Sequence, residues 1–272
     1  ASSQPATHPK NSYRVSVCCG ESPEPRHEKP RLTKPVDPQK ALIKRKIPMP
    51  LNIAILASGS GSNAQAMIDK AAAGVLDVNI CCIVCNRPGA GVIERARKAG
   101  VTCVVLDHKE FADRESFDLA VVQTLQDHGA QLIVLAGYMR MLSTAFLEAF
   151  SGRVINIHPA LLPSFPGVHG GADACEYGVK ISGCTVHFVE EKMDSGPVII
   201  QAAVPVNPGE EVDDLMQRIH AMEHRIYPQA IQWFAQNRIN VWGREVHVAP
   251  GTANTVTPDG PWLVWPPLEQ GF

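Results

Sequence analysis

Nowhere in this 272-residue chain do eighteen apolar residues stand in a row, so no segment is expected to cross a membrane as a helix. An overall basic excess is missing too: 25 Lys and Arg face 27 Asp and Glu. What positive charge there is collects at one end. Residues 1–50 carry ten Lys and Arg against four Asp and Glu, which leaves the remainder at −8. That argues against a nucleic-acid-binding body, whose electrostatic footprint is basic. Eight cysteines at scattered spacing make no disulfide framework in a chain of this length. Cys82 and Cys85 resemble half a metal site, but on a strand three residues of separation send two side chains to opposite faces. The cysteines are expected to be small buried hydrophobes in a reducing compartment.

Residues 1–50 hold nine prolines and few apolar side chains. Such a segment cannot bury enough surface to offset its ordering entropy, and a disordered basic extension is expected there. Its first twenty residues contain no acid, as in a transit sequence, but show no amphipathic period. From Leu51 the pattern changes. Apolar runs at Leu51–Ala57, Val78–Cys85, Val101–Leu106 and Gln131–Ala136 alternate with helical patterns opening at Ala64, at Gly91–Ala99 and at Arg114–Asp127. That alternation predicts a single α/β domain: a Rossmann-like, doubly wound, largely parallel sheet of about seven strands flanked by helices. Val154–Ile157, Ile181–Val189 and Pro197–Val206 supply the remaining strands. Glu210–Ala235 reads as a long amphipathic helix broken at Pro228. The domain is expected to span 51–243, with 244–272 a loosely structured tail rich in Pro, Gly and Thr.

Two stretches carry chemistry. Ser58-Gly-Ser-Gly61-Ser62-Asn63 stands between a strand and a helix, where glycines let backbone approach an anion and free N–H groups with the helix dipole favour phosphate. A dinucleotide site would want an acid at the end of the second strand, where Asn86 and Arg87 stand instead, so a phosphate monoester is favoured. The second stretch is Arg153-Val-Ile-Asn156-Ile-His158-Pro. Strand period two puts Asn156 and His158 on one face, and Pro159 ends the pairing at the carboxyl edge, where open α/β sheets keep ligands. An amide donor, an imidazole and a carboxylate from Asp194 suit acyl transfer: donor for an oxyanion, base for a proton, orienter for the base. The bland alternative is a satisfied core histidine with turn-forming Asn and Asp. Ser164–Gly171, rich in Gly and Pro, is a candidate lid. His220-x-x-Glu223-His224 matches an inverted zinc-protease signature, yet Met216, Ile219 and Met222 set it among core positions, and no metal is expected.

Together with Ala136-Gly-Tyr-Met-Arg140, Asn156-Ile-His158-Pro-Ala-Leu-Leu-Pro163, His187-Phe-Val and Asp194-Ser-Gly196-Pro, the glycine turn closely resembles the phosphoribosylglycinamide formyltransferases. The similarity runs from about Leu51 to Gly243. The resemblance implies formyl transfer from 10-formyltetrahydrofolate to the amine of glycinamide ribonucleotide in purine synthesis, without a metal. It implies Asn156, His158 and Asp194 as catalytic residues, and Gly61, Ser62, Asn63 and Glu223 for the phosphate and glycinamide ends. Arg114, Tyr138, Met139, Arg140, Met141, Leu142, Val189, Glu190 and Glu191 would meet folate. One departure is Gly171, where family members often carry a histidine.

Related activities share the Asn, His and Asp arrangement. Methionyl-tRNA formyltransferase needs a further basic domain, which residues 244–272 are too few and too poor in Lys and Arg to supply. 10-Formyltetrahydrofolate hydrolase needs a regulatory domain ahead of the core, which residues 1–50 are not expected to form. Sugar-nucleotide formyltransferases normally lack this glycine-serine-asparagine turn. A non-catalytic folate or nucleotide binder would have lost one of the three residues. The expectation is a cytoplasmic monomer or homodimer acting on small molecules, with organelle targeting by residues 1–50 left open.

Overall fold

Leu51–Ala57 forms strand β1 in the interior of the sheet because both its faces are apolar: Ile53, Ile55 and Ala57 enter one core, Ala54 and Leu56 the other. Such two-sided burial is the mark of a parallel strand covered by helices. The computed structural model describes residues 50–272. The extension expected over residues 1–50 thus lies, but for its last residue, outside the described residues. After β1 come α1 (Ser62–Ala72), β2 (Val78–Cys85), α2 (Gly91–Ala99), β3 (Cys103–Val105), α3 (Arg114–Asp127), β4 (Leu132–Leu135), α4 (Thr144–Ala149) and β5 (Val154–His158). Then follow α5 (Gly170–Tyr177), β6 (Ile181–Phe188), β7 (Val198–Pro205) and α6 (Val212–Ala235). The chain closes with β8 (Ile239–Trp242), β9 (Glu245–Val248), β10 (Thr255–Val256), β11 (Leu263–Trp265) and β12 (Leu268–Glu269).

The main sheet has the order β11-β7-β6-β5-β4-β1-β2-β3. Its half from β3 to β5 is parallel, and β6, β7 and β11 add antiparallel pairs. Helices α1, α2 and α6 cover one face, α3 and α4 the other, which is the doubly wound arrangement. Cys82 and Cys85 do fall on opposite faces, each buried in a different core.

One expectation is extended and two are corrected. The sheet has eight strands because β11, from the supposed tail, pairs antiparallel with β7 through Leu263–Ala203 and Trp265–Gln201. Residues 244–272 are not loose: Leu268 is fully buried, and Val264 and Phe272 belong to the core under α6. Helix α6 also runs through Pro228 without a break. Proline removes one helical hydrogen bond and costs about 3 kcal/mol. Its neighbours make up the loss: the buried Tyr227 hydroxyl reaches the carbonyls of Leu135 and Ile155 at 2.9 and 3.0 Å, and Gln229 holds Pro267 O and the Glu269 N–H.

Candidate active site

The carboxyl ends of β1, β4 and β5 lie side by side, and the loops leaving them build the site. Gly61 takes a left-handed φ of 76° as the N-cap of α1, and a Cβ there would press on Val92 at 2.7 Å, so both backbone and space demand glycine. Ser62 and Asn63 therefore open the helix with first-turn N–H groups that no helical carbonyl can satisfy, a ready anion site. Asn86 has a different task from the acid of a dinucleotide site. It is buried and accepts a 2.6 Å hydrogen bond from the Ser58 hydroxyl, whose oxygen in turn accepts from Met139 N–H at 2.9 Å. The glycine turn and the exit of β4 are thereby tied together.

On β5, Asn156 and His158 share a face as strand period requires, and β6 runs antiparallel beside them with His187 opposite Asn156. Asn156 Nδ2 donates to His187 Nε2 at 3.3 Å. His187 Nδ1 donates to the Phe188 carbonyl at 2.7 Å, which leaves Nε2 as the bare nitrogen that Asn156 finds. Burial pushes the His187 pKa down, opposed by the Phe188 carbonyl and the charge of Asp194, and supported by repulsion from His158. Asp194, in a left-handed conformation at φ 50°, turns its carboxylate into the same space. One oxygen lies 3.5 Å from His158 Nδ1 and accepts from Gly167 N–H at 2.8 Å; the other lies 3.8 Å from His187 Nε2. His158 Nε2 donates to the Phe165 carbonyl at 2.8 Å. Asn156 and His158 thus converge with Asp194, distant in sequence, and with His187, to which sequence spacing alone assigns no role. Its role depends on register across β5 and β6, which sequence spacing does not display.

Between the glycine turn and this cluster stands Glu223 of α6, only 3% exposed. Its Oε2 accepts from Asn63 Nδ2 at 2.7 Å. Burial pushes the carboxyl up, while Asn63 and the charges of His220 and His158 oppose that rise. Among the described residues no three His, Cys, Asp or Glu side chains converge as metal ligands.

The segment Tyr138–Leu142 leaves β4 with an alternating pattern. Met139 and Met141 are exposed at 54% and 40%, whereas Tyr138 and Leu142 point inward. Tyr138 therefore offers a cleft ligand its main chain, not its ring. Arg140 lies with its guanidinium carbon 4.9 Å over the Phe117 ring. Arg114 is exposed at the start of α3, and Glu190 and Glu191 are exposed beyond β6, where Val189 hydrogen-bonds Val154 and packs on the core. Two bare methionines and two arginines suit a flat heteroaromatic ring with an anionic tail.

The expected lid is loop from Ser164 to His169, where Phe165 has φ 50°, and only its last two residues, Gly170 and Gly171, are helical, opening α5. At Gly171 a Cβ would meet the Met216 side chain of α6, so a larger residue there requires that flexible side chain to shift.

A family model described as formyl transferase matches residues 51–231. Phosphoribosylglycinamide formyltransferase of Escherichia coli (strain K12) is 41% identical over 191 residues, covering 70% of this chain and 90% of that protein. The trifunctional purine biosynthetic protein adenosine-3 of Drosophila melanogaster is 45% identical over 181 residues, but the chain spans only 13% of its length. Among solved structures, glycinamide ribonucleotide transformylase 1 from Symbiobacterium toebii is 46% identical with a TM-score of 0.73, covering 74% of this chain and 94% of that one.

Proposed function

The chain belongs to the formyl transferase family, and from that membership we propose that it moves the formyl group of 10-formyltetrahydrofolate to the primary amine of N1-(5-phospho-D-ribosyl)glycinamide, a step of de novo purine synthesis. The observation that carries this reading is a chain of contacts that runs from Asn156 to His187 at 3.3 Å, on to Asp194 at 3.8 Å and from Asp194 to His158 at 3.5 Å. Asn156 supplies an amide donor for the formyl oxygen as negative charge grows on it. His158 and Asp194 move the proton that the attacking amine sheds, and N10 of the folate takes one up as its bond to the formyl carbon breaks and tetrahydrofolate leaves. His187, held as the Nδ1–H tautomer, orients the Asn156 amide.

The substrate assignments rest on the family resemblance, and the layout supports them. First-turn N–H groups of Ser62 and Asn63, with Gly61 beside them, take the phosphate, and Glu223 meets the glycinamide end. The main chain of Tyr138–Leu142 and Val189–Glu191 borders the pterin, Met139 and Met141 cover its faces, and Arg140 with Arg114 faces the carboxylates of its tail. When bound, the folate supplies the activated one-carbon group, and no metal takes part. The reading places the enzyme in the cytoplasm as a monomer or homodimer. Among the described residues no helix is long and apolar enough to cross a membrane.

The test is a formyl-transfer assay with both substrates, run beside His158→Ala and Asp194→Asn. Each variant is expected to lose about 10² to 10⁴ in kcat. Unchanged turnover in either would remove the mechanism, and formate release without the ribonucleotide would replace transfer by hydrolysis.

A further inference from the structure

Beneath Tyr138–Leu142 lies a buried polar group that the chemistry above leaves without a task. Asp118, on α3, is fully excluded from solvent. Its Oδ2 accepts from the Ser143 N–H at 2.6 Å, and its Oδ1 has no partner among the described residues. The buried Tyr138 hydroxyl and Arg140 Nε also lack partners there. The three lie within electrostatic reach of one another: Arg140 and Arg114 both favour the Asp118 carboxylate, and Asp118 acts on the Tyr138 phenol. Arg114 is one helical turn ahead of Asp118, and Phe117, next to it in the chain, carries the Arg140 guanidinium.

A core that only had to close would use apolar residues here, since a partly satisfied polar network is worse than none. Its position gives it a use. The near end of the segment is fixed by Ser58, which donates its N–H to Gly137 O at 3.1 Å and accepts from Met139 N–H. Asp118 fixes the far end, at Ser143, where α4 begins. Everything displayed to the cleft, Met139, Arg140 and Met141, hangs between these two anchors.

We propose that Asp118 is a positioning residue for the folate side of the cleft, fixing the far end of Tyr138–Leu142 through Ser143 and holding Arg140 by charge so that its outer face meets an anionic ligand group. The inference rests on the folate reading above. It acts on one substrate only, because the phosphate turn and Glu223 are held by α1 and α6. Burial pushes the Asp118 carboxyl up, and the Ser143 N–H and the two arginines oppose that, so its charge depends on the very groups it positions.

Asp118→Asn keeps the shape and an acceptor for Ser143 but removes the charge. The variant is expected to raise the KM for 10-formyltetrahydrofolate, and the Kd of a non-reactive folate analogue measured by fluorescence, by about tenfold. The KM for the ribonucleotide should stay within about twofold, and the melting temperature should not fall. Ser143→Pro, at a residue whose φ of −77° proline accepts, deletes the donor without touching the carboxylate and should give the same selective loss. It also removes the hydroxyl that caps α4 by accepting from the Phe146 N–H, so that loss is measured relative to a Ser143→Ala control, which lacks the hydroxyl and keeps the N–H. Analogue binding as tight in Asp118→Asn as in the unaltered enzyme, or as tight in Ser143→Pro as in its control, overturns the proposal. So does a parallel rise in both KM values, the signature of general loosening. If the unaltered enzyme neither binds the analogue nor transfers formyl, the functional reading falls and this one with it. If it does both while the variants bind unchanged, this inference alone is lost.

Discussion

At position 187 a buried imidazole decides what its neighbours can do. Its Nδ1 hydrogen is committed to the Phe188 carbonyl, so only the lone pair of Nε2 faces the site, and burial holds the ring neutral by pushing its pKa below 6.5. A neutral ring accepts from the Asn156 amide and turns the other amide hydrogen toward a reacting oxygen. His187→Ala is therefore expected to lower kcat by about 10²-fold through misplacement of that donor, with little change in either KM. Steady-state kinetics on the variant check this, and an unchanged kcat would show that Asn156 needs no orienter. Asn156, His158 and Asp194 were legible in the sequence because a polar pair at strand spacing before proline is unusual, and because the resemblance tied Asp194 to it. His187 was not legible as a participant, since only the pairing of β5 with β6 sets it opposite Asn156.

Elements show where local signals suffice and where packing overrides them. The limits of α2 and α3 could be read to the residue: Gly100 caps α2 in the left-handed conformation, and Asp113 with Ser116 forms a capping box ahead of α3. Helices α4 and α5, of six and eight residues, were missed, the latter because it opens on two glycines. The unbroken α6 came from tertiary contacts around Pro228, which no propensity encodes. That helix also carries the link between the two halves of the site, Glu223 to Asn63 of α1. Burial raises the Glu223 pKa from 4.5, so its folded form holds a proton more tightly than the unfolded chain does. Its contribution is fully present below the unfolded value and is lost as pH rises through the folded value. Glu223→Gln cannot ionise, so its stability relative to the parent should climb as pH rises above 4.5, while affinity for the ribonucleotide falls. Urea midpoints measured from about pH 4 to about pH 8 test the sign, and an offset constant across that range would refute the shift.

At the scale of the molecule, composition misled most about residues 244–272. Pro, Gly and Thr spoke for a loose tail, yet this stretch closes one edge of the sheet and seals the face of α6. Glu269 pairs with Arg238 at 2.7 Å and accepts from the buried Trp233 indole at 3.2 Å, while its N–H reaches Gln229. Arg225 donates to Phe272 O. The apolar share is as large: Val264, Leu268 and Phe272 are each 9% exposed or less, and burying such side chains contributes about 1.5 to 3 kcal/mol apiece. Removing residues 244–272 thus takes away about 5 kcal/mol or more of burial and leaves Gln229 and the Trp233 N–H inside the protein without partners. Against a total stability of about 5 to 15 kcal/mol, that loss is close to decisive. A chain ending at Gly243 retains every residue assigned to the site, so a true appendage could be cut there without harm. The expectation is the opposite: a melting temperature lower by more than about 10 °C, or no cooperative transition at all, with β7 left as a bare edge prone to association. Thermal unfolding followed by circular dichroism decides it. A truncated chain that melts within a few degrees of the full one, with kcat intact, would return residues 244–272 to the status of a tail.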